Sequence, residues 1–125
     1  MKKSHEFLKK LFGESSIERI ENFAEQYPEI HSLVEHYATE KVWMREGLSL
    51  REKSLLTLSS QISQGDWDQV RNHMESFLNL GGTGQELQEI CIHMSVYAGF
   101  PRMLKAAAIA REVLEGQAKP ETSGN

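Results

Sequence analysis

Hydrophobic residues recur along this chain every three or four positions and never alternate over a sustained run, so the pattern predicts helices throughout and no strand. Phe7, Leu8, Leu11 and Phe12 form the first apolar stripe, set against Lys2, Lys3, Lys9 and Lys10. Gly13 breaks that stripe, and Ser15 or Ser16 can cap a second helix carrying Ile17, Ile20, Phe23 and Ala24, which Tyr27-Pro28 ends. Pro28 suits the first turn of a third helix, where its missing N–H costs nothing. The buried side of that helix reads Ile30, Leu33, Val34, Tyr37 and Ala38 through to about Trp43, and Gly47 closes the element.

Three capping boxes follow in succession, Ser49 with Glu52, Asp66 with Gln69 and Thr83 with Glu86. Each places an acceptor side chain three residues before an acid or amide, the reciprocal arrangement that satisfies two orphan amides at a helix start. Gly65, the Gly81-Gly82 pair and Gly99 supply residues able to turn the chain at the ends. The predicted helices therefore run over about 50–64, 67–80 and 84–98. Pro101 opens a last one, with Leu104, Ala107, Ala110, Val113 and Leu114 along it and Gly116 to close it. The result is an all-α bundle of about six to seven helices in one domain, residues 1–116, with 117–125 a disordered tail.

Composition narrows the function. The 125 residues carry a formal net charge of −4, which gives no basic footprint for nucleic acid. The single cysteine, Cys91, cannot form an intramolecular disulfide, a CxxC redox pair or a cysteine-rich zinc site. No apolar run reaches the ~18 residues of a membrane span, and no 7–15-residue apolar stretch follows the N-terminal lysines as a secretory signal requires, so the chain reads as cytoplasmic and without membrane contact. The basic, apolar N-terminal segment reads as one that docks on its own domain or on a neighbouring subunit. The small-residue run Ala106 to Ala110 favours close packing within or between subunits.

One position interrupts the apolar logic. Val70, His73, Met74, Phe77 and Leu78 share a buried face, so a titratable ring stands where a core residue belongs. The pattern leaves two readings open: a neutral core histidine with satisfied nitrogens, or a proton-transfer group whose unperturbed pKa of ~6.5 suits work near neutrality. His93 lies one position off the Leu87, Ile90, Cys91, Met94, Tyr97 stripe of the next helix and can border a cleft shared with His73. The run Glu40 to Glu46 mixes charge and aromatic surface at a helix end. There Arg45 offers a planar fork for a carboxylate and Trp43 an apolar wall to desolvate it, unless the run is only a solvated helix end. Arg51, Glu52 and Lys53 read as first-turn surface residues. His31, Glu35 and His36 read as a solvated face and not as a metal site, because His31 and Glu35 fall off the Leu33–Tyr37 stripe.

The stretch from Trp43 to Leu114 resembles the carboxymuconolactone decarboxylase-like group of the alkylhydroperoxidase D superfamily. The motifs are Trp43-x-Arg45-x-Gly47-Leu48, Arg51 to Leu56, His73 with Asn79 and Gly81, and Glu89-Ile90-x-x-His93-Met94-x-x-Tyr97-Ala98-Gly99-Phe100-Pro101. The resemblance implies a homo-oligomer, commonly a hexamer, with a cofactor-free pocket between helices or subunits for a small carboxylated lactone. Peroxidase relatives carry CxxC four residues before a histidine; here Asp66 and Gln69 hold the cysteine places and His73 the histidine place, which rules out thiol peroxidase chemistry there. The decarboxylase reading implies loss of CO2 from 4-carboxymuconolactone in aromatic-acid catabolism. Arg45 and Trp43 would hold the carboxylate, His73 would act as general acid, and His93, Tyr97 and Glu40 would line the site. Just before Trp43 the chain departs from the decarboxylase pattern, with Thr39-Glu40-Lys41 in place of an aromatic-Gly-acid run. The rival is a non-enzymatic oligomer that binds a small acid on the same scaffold.

Overall fold

The computed structural model describes residues 3–118, and among them there is no strand. The helices are α1 (Lys3–Phe12), α2 (Ser16–Gln26), α3 (Pro28–Leu33), α4 (Leu50–Gln64), α5 (Trp67–Asn79), α6 (Gly84–Ala98) and α7 (Phe100–Ala118). Between α3 and α4 the chain continues as a π-helical segment, Val34–Trp43. The fold is all-α, as the hydrophobic spacing predicts. Residues 119–125 of the expected tail lie outside the described residues, and α7 runs past Gly116.

The core is built by the last four helices. Leu58 and Ile62 of α4, Val70, Met74 and Phe77 of α5, Leu87, Cys91 and Met94 of α6, and Ala106, Ile109, Ala110 and Val113 of α7 form one buried cluster. Ala106 and Ala110, one turn apart, let α7 lie close against its neighbours. The predicted stripe of α7 is displaced, because Leu104 and Ala107 are exposed while Ala106 and Ile109 are buried. Helix α1 docks on this bundle through Leu11, and the Asn79 side chain of α5 donates a hydrogen bond to the Leu11 carbonyl at 2.9 Å.

Local chemistry explains the helix limits. Ser49 and Thr83 each close a full capping box with Glu52 and Glu86. Asp66 does not: it precedes α5 without a side-chain cap bond. Gly65 sits in the left-handed region at φ 70°, where the Asp66 amide donates back to the Gln61 carbonyl at 3.1 Å and ends α4. Gly82 has a different reason to be glycine, since a Cβ there would run into the ring of buried Phe77. Gly82→Ala is expected to destabilise the fold by about 1–3 kcal/mol, the range for overpacking a filled core. Urea unfolding measures it, and an unchanged midpoint would mean that the α5–α6 turn yields freely.

The third predicted helix departs most from expectation. Its second half winds with i→i+5 bonds, and the Met44 amide donates to the Thr39 carbonyl at 2.9 Å at its end. The buried side already differs from expectation in the regular turn of α3 and stays different through the π segment. Glu35 and Thr39 are buried, whereas Ile30, Leu33, Val34 and Tyr37, the predicted buried side, are exposed. The sequence reading of Glu35 as a solvated residue is therefore wrong: it is 3% exposed.

Candidate active site

His73 comes from the middle of α5 and is 8% exposed. Two aromatic rings from distant parts of the chain meet it. Phe12, the last residue of α1, packs edge-on at 5.3 Å between ring centroids, and Trp43, the last residue of the π segment, stacks within 15° of parallel at 6.0 Å. Burial disfavours the imidazolium, so the His73 pKa lies below its ordinary value. Its Nδ1 is buried and has no hydrogen-bond partner. A core histidine kept for structure is expected to have both nitrogens satisfied, and this one does not.

Trp43 is held by a residue that sequence reasoning passed over. Lys53 of α4 donates from Nζ to the carbonyls of Trp43 at 2.8 Å and Val42 at 3.3 Å, and also to the Arg45 carbonyl. It is thus no idle surface lysine but a cation placed on the last carbonyls of the π segment, where orphan acceptors and the helix dipole both favour positive charge. Lys53→Met is expected to lower stability by about 1–2 kcal/mol, a charged hydrogen-bonding site discounted for its partial exposure. Trp43 fluorescence should change with it, against a Trp67→Phe background. A spectrum and Tm equal to the parent's would show that Lys53 does not hold this turn.

Beside the indole lies a cleft of about 470 Å3, lined by Val42, Trp43, Arg45, Gly47, Leu48, Lys53, Leu56 and Thr57. A second depression of about 350 Å3 shares Trp43, Arg45 and Leu48 and adds Phe7 and Glu46. Arg45 is exposed and makes no ion pair among the described residues, so its guanidinium is available to an incoming anion. The neighbouring Arg51 is not available: it forms a two-pronged pair with Glu86 and lies 5.2 Å over the Phe77 ring. That pair, with the Thr83 cap, holds the Glu86 carboxyl below its usual range.

Trp43 therefore joins the two parts of the site: it lines the Arg45 cleft and stacks on His73, which sits behind the indole and itself lines neither depression, while the other candidates lie elsewhere in the single chain. Glu40 lies 3.5 Å from His36 Nδ1. His93 and Tyr97 pack on one another at 5.2 Å on the exposed face of α6 and line neither cleft. Cys91 is buried, and burial raises its pKa, the condition of an inert thiol and not of a nucleophile. Gln69 lines a separate cavity with Asn72 and Arg19.

The sequence matches the carboxymuconolactone decarboxylase family over residues 28–112, and the chain is a member of that family. It is 32% identical over 106 residues to the 4-carboxymuconolactone decarboxylase of Acinetobacter baylyi, a match covering 84% of this chain and 79% of that protein. It is also 33% identical over 82 residues to the nitrosuccinic acid decarboxylase of Metarhizium robertsii, covering 66% of this chain and 57% of that protein. The two relatives are named for different acids, and both names describe loss of CO2.

Proposed function

We propose that the protein decarboxylates a small carboxylated lactone, 4-carboxymuconolactone in the first instance, giving the enol-lactone of 3-oxoadipate and CO2 in aromatic-acid catabolism. The observation that carries this reading is the stack of Trp43 on buried His73 beside the cleft that Arg45 lines. Arg45 would grip a carboxylate of the substrate with its planar fork, while Trp43 and Leu48 exclude water from it. The C–CO2 bond breaks, its electron pair passes into the lactone carbonyl as a dienolate, and a proton from His73 is added at the carbon end. The conjugated lactone is its own electron sink, so the scheme routes no electrons through a cofactor.

The same reading makes the working unit a homo-oligomer, a hexamer in cytoplasm. Ile92, Val96, Tyr97, Phe100 and Leu104 are exposed on α6 and α7, with Val96 77% exposed, and a patch of this kind favours burial against another copy. In such an assembly His93, Tyr97 and Glu40 would reach a site as residues of a neighbouring subunit. The direct test is turnover: purified protein with 4-carboxymuconolactone releases one CO2 per lactone consumed. Nitrosuccinate in a parallel assay decides the substrate class. Intact oligomers that bind either acid without releasing CO2 would instead establish a non-enzymatic binding protein.

A further inference from the structure

We propose that His5, His31 and Glu35 form a binding site for one divalent transition-metal ion of the zinc type. The three residues come from three elements, α1, α3 and the π segment, and no sequence spacing joins His5 to the others. Glu35 is buried four residues after His31, and its carboxylate faces both imidazoles.

The distances fit an ion better than they fit hydrogen bonds. His5 Nε2 and His31 Nε2 each lie 3.4 Å from Glu35 Oε2, and one ligand atom from each of the three residues lies within 4.8 Å of the other two. A good N–H···O bond is shorter, ~2.7–3.2 Å. A tetrahedral ion with ~2.0–2.1 Å bonds instead holds its ligand atoms roughly 3.3–3.4 Å apart. His5 Nε2 is buried and makes no hydrogen bond, as suits a nitrogen whose lone pair is aimed at a cation. The two imidazoles meet edge to face at 6.3 Å between centroids, so both rings converge on the carboxylate without stacking.

The surroundings resemble the outer layer of a metal site. The other carboxylate oxygen, Glu35 Oε1, faces His36 Nε2 at 3.3 Å, and His36 Nδ1 faces Glu40 at 3.5 Å. Such a chain orients a ligating carboxylate. His31 and Glu35 also line an apolar cavity of about 270 Å3 that Arg19, Gln69 and Asn72 border. Three protein ligands beside a cavity leave a fourth position for water, and the imidazole-carboxylate donor set favours zinc, cobalt or nickel over magnesium. Bound there, the ion would clasp α1 to the α3–π rod. The site is independent of the Arg45 cleft and of the decarboxylase reading.

Calorimetric titration of the full-length, chelator-stripped protein with zinc chloride tests this. One ion per chain is expected, with a Tm that rises on zinc addition, no response to magnesium, and the visible absorption of tetrahedral cobalt when cobalt is substituted. His5→Ala, His31→Ala and Glu35→Gln should each weaken binding by about 100-fold or more, and His36→Ala by about 10-fold or less. Far-UV circular dichroism without metal establishes that each variant is folded, and His5→Gln replaces His5→Ala where the smaller side chain unfolds α1. Absence of zinc binding overturns the proposal. So do parent-like affinities in the folded His5 and His31 variants, or binding that depends on His36 and Glu40 instead.

Discussion

Replacing His73 by phenylalanine is expected to lower kcat for decarboxylation by about 10²–10⁴-fold, the contribution of a positioned general acid. Phenylalanine is the informative substitution because it keeps a ring between Phe12 and Trp43 while removing both nitrogens. A residue that served only to fill the aromatic cluster would be replaced with little loss. The lowered pKa of His73 also fixes the sign of two pH effects. In the free enzyme, activity that needs the imidazolium declines as pH rises through the lowered value, and a bound carboxylate beside the ring pushes that limb of kcat to higher pH. Stability changes in the opposite sense. The unfolded chain takes up the proton below about 6.5, whereas the buried ring resists it, so the stability present above that pH is lost as pH falls through the folded value. His73→Phe should remove that part of the acid sensitivity together with the activity. If the variant turns over substrate like its parent, proton delivery comes from elsewhere.

Arg45→Ala is expected to raise KM about 10–100-fold, the loss of a charge-assisted carboxylate contact, while kcat moves much less. The split follows from the reaction. Decarboxylation removes negative charge from the departing group, so a guanidinium gripping the carboxylate stabilises the ground state at least as well as the transition state, and its removal is felt in binding. Arg45→Lys should recover only part of the loss, because an ammonium is a point charge without the fork. The reverse outcome, kcat reduced at constant KM, would assign Arg45 to the developing dienolate and not to the carboxylate.

How far the sequence revealed these features depends on the range of the interaction involved. The Ser49 and Thr83 boxes, the Gly65 stop and the His73 face are encoded by residues three to five apart, and all were readable. Asp66 shares the three-residue spacing of a capping box but makes no cap bond, because spacing alone does not fix where the side chain turns. The stretch from Ile30 to Trp43 departs for a different reason: its apolar side chains stay exposed while Glu35 and Thr39 turn inward, and neither that choice of face nor the i→i+5 winding leaves a mark in apolar spacing. Lys53 reads as a surface residue in the sequence because its partners are backbone carbonyls, which leave no mark there. Phe12 against His73 and His5 beside Glu35 are contacts across tens of residues, and only the docking of α1 reveals them.

The π segment also makes this stretch tolerant of a change in residue count. Thr39 accepts from the amide five residues on, so the turn there holds one residue more than the ordinary four-residue closure. Deletion of one residue inside that turn would be taken up by the ordinary closure, and Trp43 would stay on the face of His73. The same deletion in the regular helix α4 or α5 would swing every later side chain by about 100° about the axis. Relatives aligned to this chain can thus carry a one-residue gap within these ten positions and still keep the indole in place.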